Sequence, residues 1–194
     1  MNRREAIKQL ALLTGGALSM STVSAILGGC SSSGSGSFSP RTLSDVQNQL
    51  VTVISELIIP ETDTPGAKAA GVNRFIDHML TEWNTEEERD QFLNGLDHVD
   101  EVSATEFDKT FLELNGADQT RVLELLEQEA QDQPVDVPDA GGTGTSHFFP
   151  MMKEYTIVGY YTSEIGASRE LKTNIIPGHY DGCMPYEKIG RAWS

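Results

Sequence analysis

The stretch SDVQNQLVTVISELIIP, residues 44–60, decides the fold class of this chain. Ser44 is followed three residues later by Gln47, which is the spacing of a capping box at the start of a helix. Pro60 ends the helix because it lacks a backbone N–H. Between them, apolar residues recur at helical spacing, at Val46, Leu50, Val53, Ile54, Leu57 and Ile58. The stretch therefore predicts an amphipathic helix.

Three further helices are predicted after this one. Glu61 to Ala67 is a loop with a Pro-Gly turn, and a second helix follows it. Thr85 and Glu88 form another capping box, which begins a third, acidic helix. A fourth helix runs from about Ala117 to Gln131. The apolar positions of these helices are Val72, Phe75, Ile76, Met79 and Leu80, then Phe92, Leu96 and Val99, then Val122, Leu123, Leu126 and Ala130.

The C-terminal part of the chain predicts one more helix and an arm. Ser146 caps this fifth helix, in which Pro150 is tolerated in the first turn. Its apolar residues include Phe149, Met152, Ile157, Tyr160 and Tyr161. The tail from about Leu171 to Trp193 is interrupted by proline and glycine and is expected to be irregular. No stretch alternates like a strand, so we predict an all-α fold of four to six helices with a long irregular C-terminal arm, in one domain over residues 42–194.

The first 29 residues read as an export leader. Asn2-Arg3-Arg4-Glu5-Ala6-Ile7-Lys8 resembles the motif of the twin-arginine route, with Asn2 and Ala6 at positions where that motif usually has other residues. The apolar run behind it contains many Gly, Ser and Thr residues, and it is too polar for a membrane span of about 20 apolar residues. We therefore expect export to the periplasm by the twin-arginine route, signalled by Arg3 and Arg4.

The end of the leader indicates a lipid anchor. Leu27-Gly28-Gly29-Cys30 resembles a lipobox, in which the cysteine is acylated and the chain is cut just before it. Residues 30–41 are rich in Ser and Gly and read as a flexible tether. Cys30 is therefore the predicted lipidation site.

Charge and cysteine content exclude several classes of protein. The 194 residues carry a formal net charge of −15, which argues against binding to nucleic acid or adsorption to anionic lipid. The chain has two cysteines, Cys30 and Cys183. If Cys30 is lipidated, Cys183 is either buried or paired with another chain, and burial as a small apolar residue is the favoured alternative.

Motifs of known catalytic sites are missing from the sequence. It has no dinucleotide fingerprint, no haem or iron–sulfur cysteine pattern and no nucleophile elbow. His179, Asp181 and Cys183 could bind a transition metal, although a turn held by packing is favoured there. Glu61 and Asp63 could act as acid and base, although we favour Glu61 as a cap of the Pro-Gly turn.

Two blocks of the chain resemble the gluconate 2-dehydrogenase subunit 3 family. The first is Ile58-Ile59-Pro60-Glu61-Thr62-Asp63-Thr64-Pro65-Gly66-Ala67, continuing to Phe75-Ile76-Asp77. The second comprises Phe148-Phe149, Gly159-Tyr160-Tyr161-Thr162-Ser163, Pro177-Gly178-His179-Tyr180-Asp181-Gly182-Cys183 and Arg191-Ala192-Trp193. The middle of the chain, from Glu82 to Thr145, does not carry the resemblance.

The resemblance implies a small, non-catalytic subunit with no cofactor of its own. Its partner would be a flavoprotein of the glucose–methanol–choline type, which carries FAD and oxidises a sugar, sugar acid or alcohol. Electrons would pass to a c-type cytochrome, and the small subunit would supply the export signal for the flavoprotein. Many members of the family have an ordinary cleavage site where this chain has the lipobox-like Cys30. The difference concerns how the small subunit is attached to a membrane.

Aromatic residues of the C-terminal part suggest where a partner binds. Aromatic side chains among polar ones are typical of protein interfaces, although some of these must close the core. The predicted interface consists of Tyr160, Tyr161, Pro177, Gly178, Tyr180, Cys183 and Trp193. The alternative function is an independent periplasmic lipoprotein that binds a metal or a small ligand.

Overall fold

Helices make up the regular structure of the computed structural model, which describes residues 38–132, 147–173, 176, 178 and 181–192. The α-helices are α1 (Asp45–Ile58), α2 (Ala67–Ala70), α3 (Val72–Glu82), α4 (Glu86–Phe107), α5 (Gly116–Asp132), α6 (Phe148–Tyr161) and α7 (Tyr186–Ile189). A 3-10 turn at Phe111–Glu113 precedes α5, and a π-helical segment at Gly166–Glu170 follows α6. Five of the described α-helices have eleven or more residues, which confirms the all-α prediction. The two short helices, α2 and α7, bring the described α-helices to seven, one more than the four to six predicted.

Both predicted capping boxes are present. The Ser44 hydroxyl accepts a hydrogen bond from Gln47 N–H at 3.2 Å, and the Gln47 side chain accepts one from Ser44 N–H at 3.0 Å. Thr85 and Glu88 make the same reciprocal pair at 3.2 and 2.9 Å. Each box satisfies two backbone donors that the helix itself leaves unpaired, and this fixes where α1 and α4 begin.

Helix α6 begins one residue later than a Ser146 cap would place it. His147 occupies the N-cap position, and Met151 N–H donates to the His147 carbonyl at 3.5 Å. Pro150 then lies in the first turn, where its missing N–H removes no bond within the helix. Ser146 itself lies outside the described residues.

The core lies where α6 packs against α1, α3, α4 and α5. Phe92 of α4 contacts Phe148 and Tyr155 of α6, with ring centroids 5.1 and 6.1 Å apart. Gly95 lies beneath Phe148, and a Cβ there would be 2.2 Å from two Phe148 carbons. Side chains that are fully buried include Val51, Ile54, Ile76, Leu80, Phe92, Val99, Phe111, Met151 and Met152.

The segment before α1 is held by a buried carboxylate of α3. Asp77 is 2% exposed and accepts hydrogen bonds from the backbone N–H groups of Arg41, Thr42 and Leu43, at 2.9 to 3.0 Å. Three donors on one carboxylate offset the cost of removing its charge from water. Asp77 therefore fixes the point at which the chain enters the helical unit.

One residue of the predicted apolar face of α1 is not buried. Val46 is 59% exposed because it lies in the first turn, whereas the buried residues of α1 begin at Leu50. Within the described residues, no helix is both long enough and apolar enough to span a bilayer.

The described part of the predicted C-terminal arm contains little regular structure. The described α-helix after Glu170 is α7, which has four residues. The Lys172 N–H also donates a hydrogen bond to the Ala192 carbonyl at 2.8 Å. Residues 174, 175, 177, 179, 180, 193 and 194 of this arm lie outside the described part of the chain.

Candidate functional site

The loop between α1 and α2 is organised by a carboxylate from α1. Glu56 accepts hydrogen bonds from Glu61 N–H at 2.9 Å and from Lys68 N–H at 2.7 Å, one on each carboxylate oxygen. Among the described residues, Glu56 therefore holds this loop, and the expectation that Glu61 caps it is wrong. Glu56 can bond both ends of the loop because the chain turns back toward α1 after Pro60.

Gly66 is needed in this loop for close packing. Its φ angle is −79°, which any residue can adopt. A Cβ at Gly66, however, would lie 2.4 Å from one Glu56 carboxylate oxygen and 2.6 Å from the Glu61 nitrogen. The Pro-Gly pair therefore lets the loop backbone approach the carboxylate that holds it.

Two contacts from the second half of the chain fasten the same loop. The buried Tyr160 hydroxyl donates to the Pro65 carbonyl at 2.7 Å, and burial raises the pKa of this phenol. The Thr64 hydroxyl donates to the Glu170 carboxylate at 2.7 Å. Because Glu170 belongs to the π-helical segment, the loop is tied to α6 and to the segment after it.

The outward side chains of this loop lie on the surface. Glu61 and Asp63 are exposed, and the Asp63 carboxylate accepts a hydrogen bond from the Thr62 hydroxyl at 3.2 Å. Acid–base catalysis needs a carboxyl group placed beside a bound substrate. Neither carboxylate lines the groove described next, so the geometry gives the acid–base hypothesis no support.

An apolar groove of about 440 Å³ lies between α5 and α6. It is lined by Glu127, Ala130, Gln131, Phe149, Pro150, Lys153, Glu154, Ile157 and Val158. Lys153 Nζ lies 2.7 Å from a Glu127 carboxylate oxygen and 5.6 Å from the centre of the Phe149 ring. The charge of Lys153 is thus paired within the groove, and most of the remaining lining is hydrocarbon.

Helix α6 exposes three apolar side chains here, two that line the groove and a third, Tyr161, one turn beyond them. Ile157 is 45% exposed, Val158 is 42% exposed and Tyr161 is 40% exposed. The Tyr161 ring meets the Tyr160 ring edge to face, with centroids 5.3 Å apart. We call the groove and these three residues the α6 outer face.

The residues of the predicted interface fall into three groups. Tyr160 is 1% exposed and belongs to the core, so its side chain is not part of the surface of this chain. Tyr161, Gly178 and Cys183 are exposed. Outside the described residues lie Pro177, Tyr180, Trp193 and the predicted export and lipidation residues Arg3, Arg4 and Cys30.

The exposure of Cys183 corrects the expectation that it is buried. Cys183 lies in a turn in which its N–H donates to the Asp181 carboxylate at 3.0 Å and Met184 N–H donates to the Asp181 carbonyl at 3.4 Å. Such turns run over the surface of a protein, where a thiol meets solvent. Pairing of Cys183 with another chain, the other alternative, stays a prediction.

No group of three metal-ligating side chains occurs within the described part of the chain. The predicted set of His179, Asp181 and Cys183 is only partly described, since His179 falls outside it. Asp181 is engaged in the turn with Cys183, as given above.

Residues 45–178 match the family model of gluconate 2-dehydrogenase subunit 3. The match covers more than two thirds of the chain and includes all five long helices and the fastened loop. The chain belongs to the gluconate 2-dehydrogenase subunit 3 family. No curated protein and no solved structure matches it. The resemblance inferred from the two sequence blocks is thus confirmed.

Sequence patterns did not predict several residues that organise the loop and the groove of this subunit 3 protein. Glu56 and Glu170 lie 114 residues apart and yet hold the same loop. Glu127 and Lys153 are 26 residues apart and meet across the groove. No local spacing rule links such residues, since packing of the helices brings them together.

Proposed function

We propose that this chain is the non-catalytic small subunit of a dehydrogenase complex and that it binds a FAD-dependent flavoprotein of the glucose–methanol–choline type. The observation that carries the proposal is the match to gluconate 2-dehydrogenase subunit 3 over residues 45–178. The flavoprotein oxidises a sugar, a sugar acid or an alcohol, and a c-type cytochrome accepts its electrons. The FAD belongs to that large subunit.

The second part of the proposal concerns export. Arg3 and Arg4 carry the folded small subunit through the twin-arginine route, and the bound flavoprotein crosses with it. Cys30 then anchors the complex to a membrane facing the periplasm, with the Ser/Gly-rich residues 30–41 as a tether.

The surface of the described residues supports a binding role. The carboxylates first considered as acid and base, Glu61 and Asp63, project from the surface of a loop that Glu56, Tyr160 and Glu170 hold in place. The α6 outer face exposes apolar side chains that a partner could cover. A rigid surface with an exposed apolar area is what association with another protein requires.

Co-export tests the proposal directly. Arg3 and Arg4 are replaced together by lysine in cells that also make a glucose–methanol–choline type flavoprotein without a leader of its own. We expect the periplasmic dehydrogenase activity to disappear while the flavoprotein accumulates in the cytoplasm. The matched control replaces Arg74 and Arg121, which lie in the helical unit, by lysine and leaves export intact. Undiminished periplasmic activity in the Arg3/Arg4 variant would contradict the export role.

The lipid anchor is tested separately. Cys30→Ser is expected to release the complex from the membrane fraction into the soluble periplasm without loss of dehydrogenase activity. A complex that stays in the membrane fraction after this change would show that Cys30 is not its anchor.

A further inference from the structure

The α6 outer face forms a continuous strip along one side of α6. Pro150, Glu154, Ile157 and Tyr161 are spaced by four, three and four residues, which places them on the same side of a helix. From Pro150 to Tyr161 the helix rises by roughly 16 Å at about 1.5 Å per residue. The strip begins at the groove with α5, and it ends at Tyr161, whose ring contacts the loop-holding Tyr160.

This strip is unusual because the rest of α6 is buried. Eight of its fourteen residues are buried, and α6 packs against five other helices, α1 to α5. It still presents Ile157 and Val158 to solvent. Aliphatic side chains that are 40% or more exposed beside an apolar groove gain stability when another surface covers them. We therefore take this contiguous apolar area as the candidate surface for association with another protein.

The charges around the strip indicate the kind of surface that covers it. Glu127 and Glu154 line the groove, and Lys153 is paired with Glu127, so the rim is net acidic. The whole chain carries −15, and a second copy would therefore bring like charges together at this rim. A partner with an apolar centre and lysine or arginine residues around it is complementary.

We propose that the α6 outer face binds the large subunit of the dehydrogenase complex through an apolar, basic-rimmed surface of that subunit. This inference rests on the proposed function and adds to it the face that makes the contact. It also places the centre of the interface at Ile157 and Val158, two residues outside the interface predicted from sequence.

The test is a binding titration between the full chain and a FAD-dependent flavoprotein of the glucose–methanol–choline type from the same organism. The variant carries Ile157→Glu and Val158→Glu, which put two carboxylates in the apolar centre. We expect the dissociation constant to rise at least about tenfold, as for the loss of a central interface residue. The matched control carries Val46→Glu and Trp83→Glu, which add the same charge at apolar residues 59% and 73% exposed elsewhere. The control is expected to bind as the wild type does.

The acidic rim is tested by Glu154→Lys. We expect weaker binding and a smaller loss of affinity as salt is added, because one attractive contact with a basic rim has been reversed. Binding that strengthens in this variant would overturn the assignment of a basic partner surface.

Four other outcomes overturn the inference, and they can be told apart. A wild-type chain that does not bind the flavoprotein overturns the proposed function as well. Equal binding by wild type and the Ile157/Val158 variant overturns the docking face alone. A large fall in the melting temperature of the isolated variant shows that another part of this chain covers the face. A wild-type dimer that the same substitutions dissociate shows that a second copy covers it.

Discussion

The Tyr160 hydroxyl donates a 2.7 Å hydrogen bond to the carbonyl oxygen of Pro65 across 95 residues of sequence. This bond joins the two blocks that carry the family resemblance, since Pro65 lies in the loop after α1 and Tyr160 lies near the end of α6. A buried phenol O–H needs a hydrogen-bond acceptor. The Pro65 carbonyl can be that acceptor because it lies in a tight loop and takes part in no helical hydrogen bond. The two blocks therefore form one structural unit.

Removing this bond should loosen the loop more than it destabilises the fold. Tyr160→Phe keeps the buried ring and deletes the hydroxyl, so we expect a loss of about 1 kcal/mol in the free energy of unfolding. Urea denaturation measures this loss, and limited proteolysis should show faster cleavage between Pro60 and Gly66. Tyr161→Phe is the control, because Tyr161 is exposed and should change the stability little. Equal effects of the two substitutions would contradict the role of the bond.

Asp77 should be among the most sensitive polar residues of the fold. Asp77→Ala leaves the backbone N–H groups of Arg41, Thr42 and Leu43 without their acceptor, and we expect the free energy of unfolding to fall by about 3 kcal/mol. Denaturant titration of the variant checks this value. Asp97→Ala removes an exposed carboxylate from α4 and should have almost no effect. A loss below 1 kcal/mol for Asp77→Ala would show that water can replace the carboxylate.

Gly95→Ala should destabilise the protein although alanine favours helices. The added methyl group would lie 2.2 Å from Phe148, so α6 must shift, at a cost of about 1–3 kcal/mol. Gly116→Ala is the matched control, because no atom lies within 4 Å of a Cβ there and helix propensity then raises stability by up to about 1 kcal/mol. Thermal unfolding distinguishes the two signs. A Gly95→Ala variant more stable than wild type would disprove the close contact.

The link between α4 and α5 should weaken as pH rises. His98 lies 3.0 Å from Glu129 and 3.3 Å from Glu101, and the hydrogen bond to Glu129 is the main cause that raises the pKa of His98 above 6.5. A raised folded-state pKa contributes stability that is fully present below pH 6.5 and is lost as pH rises through the folded-state value. The His98 side chain is 41% exposed, so we expect only a few tenths of a kcal/mol.

The measurement for His98 is the melting temperature across that pH range. The wild type should lose on the order of 1 °C relative to His98→Gln as the pH passes from about 6 to about 8. A constant difference between the two proteins over this range would mean that the imidazole is not ionised when it bridges the helices.

The exposed thiol of Cys183 gives a test of the C-terminal turn. In a Cys30→Ser background, we expect a thiol reagent to modify native Cys183 at a rate close to that in the unfolded chain, because the residue is exposed. The control is Cys183→Ser in the same background. It contains no cysteine and so measures the reaction of the reagent with groups other than a thiol. Modification that begins only on denaturation would restore the expectation that Cys183 is buried.

Structural features that depend on neighbouring residues were predicted correctly from the sequence. The capping boxes at Ser44 and Thr85 were found because they need only a donor and an acceptor three residues apart. Helix α5 was predicted within one residue at each end, because its apolar spacing depends on the geometry of a single helix. The exposed side chains of α6 could not be predicted, since its residues are apolar on nearly all sides and periodicity does not tell the buried side from the open one.

The amino-acid sequence by itself determined the all-α class, the starts of α1 and α4 and the family, because these depend on short-range spacing and on two motif blocks. Only the tertiary structure decided which carboxylate holds the loop, that Tyr160 is a core residue and that Ile157 and Val158 stay exposed. The physical reason is that burial and loop contacts arise between residues far apart in the chain. These contacts depend on how α6 packs against the neighbouring helices, and the spacing of residues within one helix does not determine that packing.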